Sequence, residues 1–256
     1  MRSLYSPEFE KDSCGFGLIA NIDNKASHQL LKTSIDSLAR LTHRGAVAPD
    51  GLSGDGCGIL VKIPREFFKK EALENKIEIP EQYGVTSIFL SRDKAISSNT
   101  LSWLKKELKK VDLEVFWERE VPVDESYCGK DALTSIPTFM QVFTKVNSNT
   151  QAFDDKEFNR RLYIARRKTK LGLGDRDTNF YTASSSCKTL SYKGMLMPHN
   201  LDKFFLDLAD PDFKTSLCLF HQRFSTNTLP EWKLAQPFRY LAHNGEINTI
   251  KGNRNW

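Results

Sequence analysis

Apolar residues recur along this chain in two rhythms. Leu31, Ile35, Leu38 and Leu41 are spaced by four, three and three residues, which gathers them on one face of a helix. That pattern stops at His43-Arg44-Gly45, where Gly45 stands as the expected C-terminal cap. Leu101, Leu104 and Leu108 mark a second helix, and residues 155–171 a basic third one with Phe158, Leu162 and Ala165 on its inner side. Short β-prone runs fall at residues 15–22, 59–61 (closed by Pro64), 86–90, 113–117, 139–146, 180–183, 189–192, 216–224 and 238–242. Ser53-Gly54-Asp55-Gly56 reads as a turn, a Ser-rich turn joins the runs at 180–183 and 189–192, and Asn244-Gly245 is a further turn before a helix beginning at Glu246. Residues 1–13 are polar, contain Pro7 and read as an irregular leader. Strands follow one another more often than they alternate with helices, which predicts an α+β fold built mostly from antiparallel sheet.

Composition narrows the class. The 256 residues suffice for one large domain or two small ones, and 39% hydrophobic residues supply a sizeable core. There is no run of 18 apolar residues and no apolar stretch near the N-terminus, so neither a membrane span nor a signal peptide is expected, and a cytoplasmic location is. The 37 basic residues exceed the 32 acidic ones by five, a balance that permits an anionic partner without requiring one. Five widely spaced cysteines with no C-x-x-C predict neither a disulfide framework nor a zinc site.

Three places carry candidate chemistry. Cys14 precedes the first strand; were it N-terminal, its own α-amine, with a pKa near about 8, would serve as the base for its thiol. The competing reading is a buried cysteine at a strand start. Arg223 lies near the end of an apolar strand, where its planar donors suit a carboxylate, with the Thr226 hydroxyl nearby; the alternative is a solvated arginine leaving the core. Asn244 and Gly245 pair a side-chain amide with a backbone N–H, as an oxyanion hole requires, or else form a plain turn. Two other features are set aside. The glycine-rich stretch 51–58 lacks the Gly-Lys-Ser/Thr ending of a phosphate loop. The cations of residues 160–170 read as a solvated helix face rather than a nucleic-acid surface.

Taken together, Cys-Gly-x-Gly at 14–17, His-Arg-Gly-Ala at 43–46, Gly-Asp-Gly-x-Gly-Ile at 54–59, His-x-Arg-Phe-Ser-Thr-Asn-Thr at 221–228, Trp-x-x-Ala-Gln-Pro-Phe-Arg at 232–239 and the run 243–256 resemble one family. It is the N-terminal type-2 glutamine amidotransferase domain of glutamate synthase large subunits. The resemblance runs from Cys14 to the last residue, with roughly residues 70–170 less diagnostic. It implies a four-layer αββα N-terminal-nucleophile sandwich of antiparallel sheets, with 1–13 as a cleaved leader and 14–256 as an amidotransferase domain incomplete at its C-terminus. It also implies roles. Cys14 is the nucleophile, and Asn244 and Gly245 form the oxyanion hole. Arg223, with Thr226 close by, holds the glutamine α-carboxylate, and Arg44 supports the nucleophile. An Asp that binds the substrate amine is expected beyond Trp256. In the full enzyme, ammonia released from glutamine would reach 2-oxoglutarate, whose imine is reduced to glutamate. FMN and a 3Fe-4S cluster are implied there, with ferredoxin or a small NAD(P)H-oxidising subunit as electron donor. The fragment itself is expected to hold no cofactor and no metal, and to bind neither nucleic acid nor membrane. The alternatives are the glutaminase domain of an amidophosphoribosyltransferase or asparagine synthetase, or a non-catalytic binding module.

Overall fold

The computed structural model describes residues 15–148, 150–224 and 228–238. In chain order these form β1 (Phe16–Ala20), α1 (His28–Arg40), β2 (Ser53–Lys62), α2 (Arg65–Glu74), β3 (Gly84–Leu90), α3 (Lys94–Lys109) and β4 (Leu113–Glu120). There follow α4 (Lys130–Leu133), β5 (Thr138–Val146), α5 (Asp155–Leu173), β6 (Tyr181–Ser186), β7 (Thr189–Leu196), α6 (Leu201–Phe204) and β8 (Leu217–Gln222). Local chemistry sets the helix starts. The Ser27 hydroxyl accepts from the Leu30 N–H ahead of α1, and Asp93 and Asp154 cap α3 and α5 in the same way. Gly174 ends α5 at φ 55°, a left-handed position that favours glycine.

The strands make two four-stranded sheets, ordered β1-β8-β2-β7 and β4-β5-β3-β6. Every pairing is antiparallel, so the architecture is the α+β sandwich that the pattern predicts. β6 belongs to the second sheet and β7 to the first, and only Cys187-Lys188 separates them. One core joins the sheets: Ile59, Val61, Leu190 and Tyr192 from the first meet Val85, Phe89, Phe139 and Phe143 from the second. The predicted face of α1 (Leu31, Ile35, Leu38) is buried in that core. A second cluster seats Leu104 and Leu108 of α3 and Phe158, Leu162 and Ala165 of α5 against Ile88, Leu90 and Val142 of the second sheet. Arg160 and Arg161 of α5 pair with Glu157, and Arg161 also with Asp112.

Two expectations need correction. Ser53–Gly56 is the start of β2, not a turn; the turn comes earlier, where the Asp50 carboxylate accepts from the Leu52 and Ser53 N–H groups. Gly45 does not cap α1 in a left-handed conformation. The helix ends at Arg40, a short 3-10 turn spans Thr42–Arg44, and Gly45 is extended at φ −126°. Helix α2 has no counterpart in the sequence reading. The expected strand at 238–242, the Asn244-Gly245 turn and the helix from Glu246 fall, but for Phe238, outside the described residues.

Candidate active site

Four stretches converge at one end of the first sheet. Phe16 of β1 stands opposite His221 of β8, and one step further the Gln222 N–H donates to the Gly15 carbonyl at 2.6 Å. The Arg223 N–H donates to the Gly56 carbonyl of β2 at 2.9 Å. Gly54 bridges to Val47, and the Asp55 N–H donates to the Ala46 carbonyl at 3.3 Å, which draws in the segment after α1. Gly45 is glycine because it abuts Gln222: a Cβ there would lie 1.7 Å from Gln222 Nε2 and 3.1 Å from the Arg223 carbonyl oxygen.

The Arg223 side chain turns back on this frame. Its Nη1 donates to the Asp55 carbonyl at 3.1 Å and its Nη2 to the Thr228 hydroxyl at 2.7 Å. Both oxygens are neutral, so neither bond cancels the guanidinium charge. Burial lowers the Arg223 pKa, and the nearby Asp55 and Glu231 carboxylates oppose that shift. The described cysteines lie in a different environment. Cys57, Cys128, Cys187 and Cys218 are all buried, and burial pushes their thiols up, to about 11 for Cys187 and about 12 for Cys128 and Cys218. Thiols held protonated at neutral pH are poor nucleophiles.

Of the sequence-predicted residues, Arg223 lies in this frame, and Arg44 directly precedes Gly45, whose backbone abuts Gln222 and the Arg223 carbonyl. Arg44 is half-buried at the end of the 3-10 turn, beside the Gly45–Gln222 contact. Cys14, Thr226, Asn244 and Gly245 lie outside the described residues, although Gly15, the neighbour of Cys14, is hydrogen-bonded into the site. Sequence reasoning missed Thr228, whose hydroxyl meets the guanidinium and which ends the same His221–Thr228 run. It also missed the close passage of residues 232–236. Trp232 donates through Nε1 to the Ala132 carbonyl at 3.1 Å and packs on Phe139 and Phe204. Gly194, Gly56 and Gly58 admit this segment: added Cβ atoms would lie 2.4 Å from the Trp232 ring, 2.8 Å from Ala235 Cβ and 2.7 Å from the Gln236 carbonyl.

Two antiparallel four-stranded sheets with flanking helices are consistent with the sandwich of N-terminal-nucleophile hydrolases. Within that class the chain belongs to the class-II glutamine amidotransferases, whose family model matches residues 14–256. It is 40% identical to the glutamate synthase [NADPH] large chain of Bacillus subtilis, over 100% of this chain and 17% of that protein. It is 39% identical to the glutamate synthase [NADH] of Saccharomyces cerevisiae, over 100% of this chain and 12% of the relative. The ferredoxin-dependent glutamate synthase of Pyropia yezoensis is 40% identical, over 99% and 16% of the two chains. The chain thus spans only 12–17% of the length of these relatives.

Proposed function

We propose that this chain is the glutamine-hydrolysing part of a glutamate synthase. The observation that carries the proposal is the Gln222–Gly15 hydrogen bond. It brings the residue after Cys14 against Gln222, the last residue of β8 and the neighbour of Arg223, and the family match begins at Cys14 itself. In this reading residues 1–13 are a leader whose removal frees the Cys14 α-amine. That amine takes the thiol proton, and the thiolate attacks the side-chain amide carbon of glutamine. The developing oxyanion is met by the Asn244 amide and the Gly245 N–H. The intermediate collapses, the C–N bond breaks, and the departing nitrogen takes a proton from the ammonium and leaves as ammonia. Water then attacks the thioester, releasing glutamate and restoring the thiol. Arg223 holds the substrate α-carboxylate, with Thr226 beside it, and Arg44 supports the nucleophile.

The acceptor chemistry belongs to the same proposal. Ammonia passes to 2-oxoglutarate in other domains of the full-length protein, which a small NAD(P)H-oxidising subunit or ferredoxin supplies with electrons. FMN and a 3Fe-4S cluster would supply the redox chemistry there. The residues described here do not fit a cluster: no group of three His, Cys, Asp or Glu side chains among them is arranged to hold a metal ion. No helix among the described residues is long and apolar enough to cross a membrane; a cytoplasmic location is part of the proposal.

The test is N-terminal sequencing of active full-length protein, paired with Cys14→Ala. A mature chain beginning at Cys14 is expected. The variant should lose glutamine-dependent turnover and keep ammonia-dependent glutamate formation. Active protein that begins at Met1, or glutaminase activity in the variant, would overturn the reading.

A further inference from the structure

Residues 232–236 cross β2 and β7 at Gly56, Gly58 and Gly194, and the crossing on β2 falls on the stretch that carries Arg223. The Arg223 N–H donates to the Gly56 carbonyl at 2.9 Å, and its Nη1 donates to the adjoining Asp55 carbonyl at 3.1 Å. Ala235 lies directly on Gly56: a Cβ added to that glycine would lie 2.8 Å from Ala235 Cβ and 3.0 Å from its Cα. Earlier in the same segment, the Thr228 hydroxyl accepts from Arg223 Nη2 at 2.7 Å. The segment thus meets the Arg223 frame at Gly56 and again at the guanidinium itself.

A buried cation holds that segment down. Lys193 of β7 is 1% exposed. Its ammonium donates to the Ala235 carbonyl at 2.7 Å, to the Lys233 carbonyl at 3.2 Å and to the Tyr181 hydroxyl at 3.0 Å. It also lies over two rings, 4.5 Å from the centroid of Tyr181 and 4.6 Å from that of Phe238. No carboxylate is among these contacts, and withdrawing an ammonium from water without a counter-ion is costly. A methionine would fill a similar volume without that cost, so packing alone does not account for a lysine here. What methionine cannot do is donate, and Ala235, which is fully buried, would lose this donor to its carbonyl.

We propose that Lys193 is a positioning residue for Arg223: by fixing the main chain at Lys233 and Ala235 it keeps Ala235 on Gly56 and Thr228 at the guanidinium, and so sets the geometry of the carboxylate site. The inference rests on the functional reading above, in which Arg223 holds the α-carboxylate of glutamine. Without the ammonium, the 233–235 main chain loosens from β2 and Gly56 loses the residue that covers it. Arg223 keeps its charge but loses the alignment of its paired donors with a planar carboxylate.

The experiment is steady-state glutamine hydrolysis by full-length Lys193→Met, Arg223→Lys and the double variant, with wild type alongside. A misaligned carboxylate holder weakens ground state and transition state alike, so in Lys193→Met the KM for glutamine should rise by about fivefold or more while kcat stays within about twofold. In the double variant Lys193→Met should add less than about twofold to the KM of Arg223→Lys, because a residue that acts through Arg223 has little left to misalign. Where Lys193→Met gives no soluble protein, Gly194→Ala applies the same test. Its methyl would lie 2.4 Å from the Trp232 ring, which pushes the segment off β7 without touching Arg223, and the same rise in KM is expected. An unchanged KM, a kcat that falls while KM holds, or effects that multiply in the double variant would each overturn the inference. An unchanged KM in Arg223→Lys would instead sink the reading of Arg223 as the carboxylate holder, so the two failures are distinguishable.

Discussion

Arg223 and Lys193 are both cations withdrawn from water, and they differ in how far the sequence announces them. Arg223 stands in His221–Thr228, a run whose donors, hydroxyls and amide point to recognition. Lys193 sits in Thr-Leu-Ser-Tyr-Lys-Gly-Met-Leu, where alternation makes a lysine look solvent-facing. Its burial depends on a segment about forty residues away, which no local pattern reveals. The two positions give separate predictions. Arg223→Lys keeps the charge and loses the planar fork, so KM for glutamine should rise by about tenfold or more with ammonia-dependent synthesis spared; an unchanged KM would remove Arg223 from the carboxylate site. For Lys193 the linkage runs through protons. Its folded pKa of about 7 lies below the ordinary value of 10.5, so across that window the unfolded chain binds more protons and native stability rises with pH. The stability of wild type relative to Lys193→Met should therefore increase from pH 7 to pH 10, read from urea midpoints. A difference that stays flat across the window would contradict the depressed pKa.

Among the elements, α1, α3 and α5 are legible because each buries one face of a long amphipathic helix and each starts at a Ser or Asp cap. Helix α2 is not. It is only ten residues long, Pro64 at its start provides no side-chain cap, and its buried face is too short to announce a helix: Phe67, Phe68 and Ala72 alone, less than two turns. The start of β2 is misread for the opposite reason. Ser-Gly-Asp-Gly has turn composition, yet those glycines serve as close-approach positions in a strand. Gly45 belongs to the same category. Gln222 is 1% exposed and its amide donates to the Arg223 carbonyl, so the methyl of Gly45→Ala displaces the Gln222 side chain from that place and crowds the Arg223 carbonyl. A stability loss of about 1–3 kcal/mol is expected from such overpacking, together with a raised KM for glutamine. Wild-type denaturant midpoint and KM in the variant would show that the contact has slack.

Across the whole molecule, the two sheets are tied by a buried polar cluster as well as by apolar packing. Arg119 of β4 donates twice to Asp207, at 2.6 and 2.7 Å, and once each to Gln141 of β5 and Glu71 of α2. Tyr192 of β7 donates to Asp207 at 2.6 Å and accepts from Gln141 at 2.9 Å. Removing one partner of a buried ion pair strands the other, so Asp207→Ala should cost about 3–5 kcal/mol. A double replacement, Arg119→Met with Asp207→Leu, should recover much of that loss; calorimetry of both variants checks the pair. The sheet class was readable from the order of strand-like runs, but the strand order was not, because it is set by pairings between distant segments. The two-residue corner between β6 and β7 closes at negligible sequence separation, whereas β1 must find β8 across nearly the whole chain. Loop-closure entropy makes the first an early event in folding and the second a late one. Gly15 reaches Gln222, the neighbour of Arg223, only through that late pairing. If the leader is removed by the site it precedes, its loss times the completion of folding. In a refolding experiment the free N-terminus should lag behind core burial, and a chain with β8 undocked should keep residues 1–13. A reactive thiol is then never unmasked on a half-built molecule.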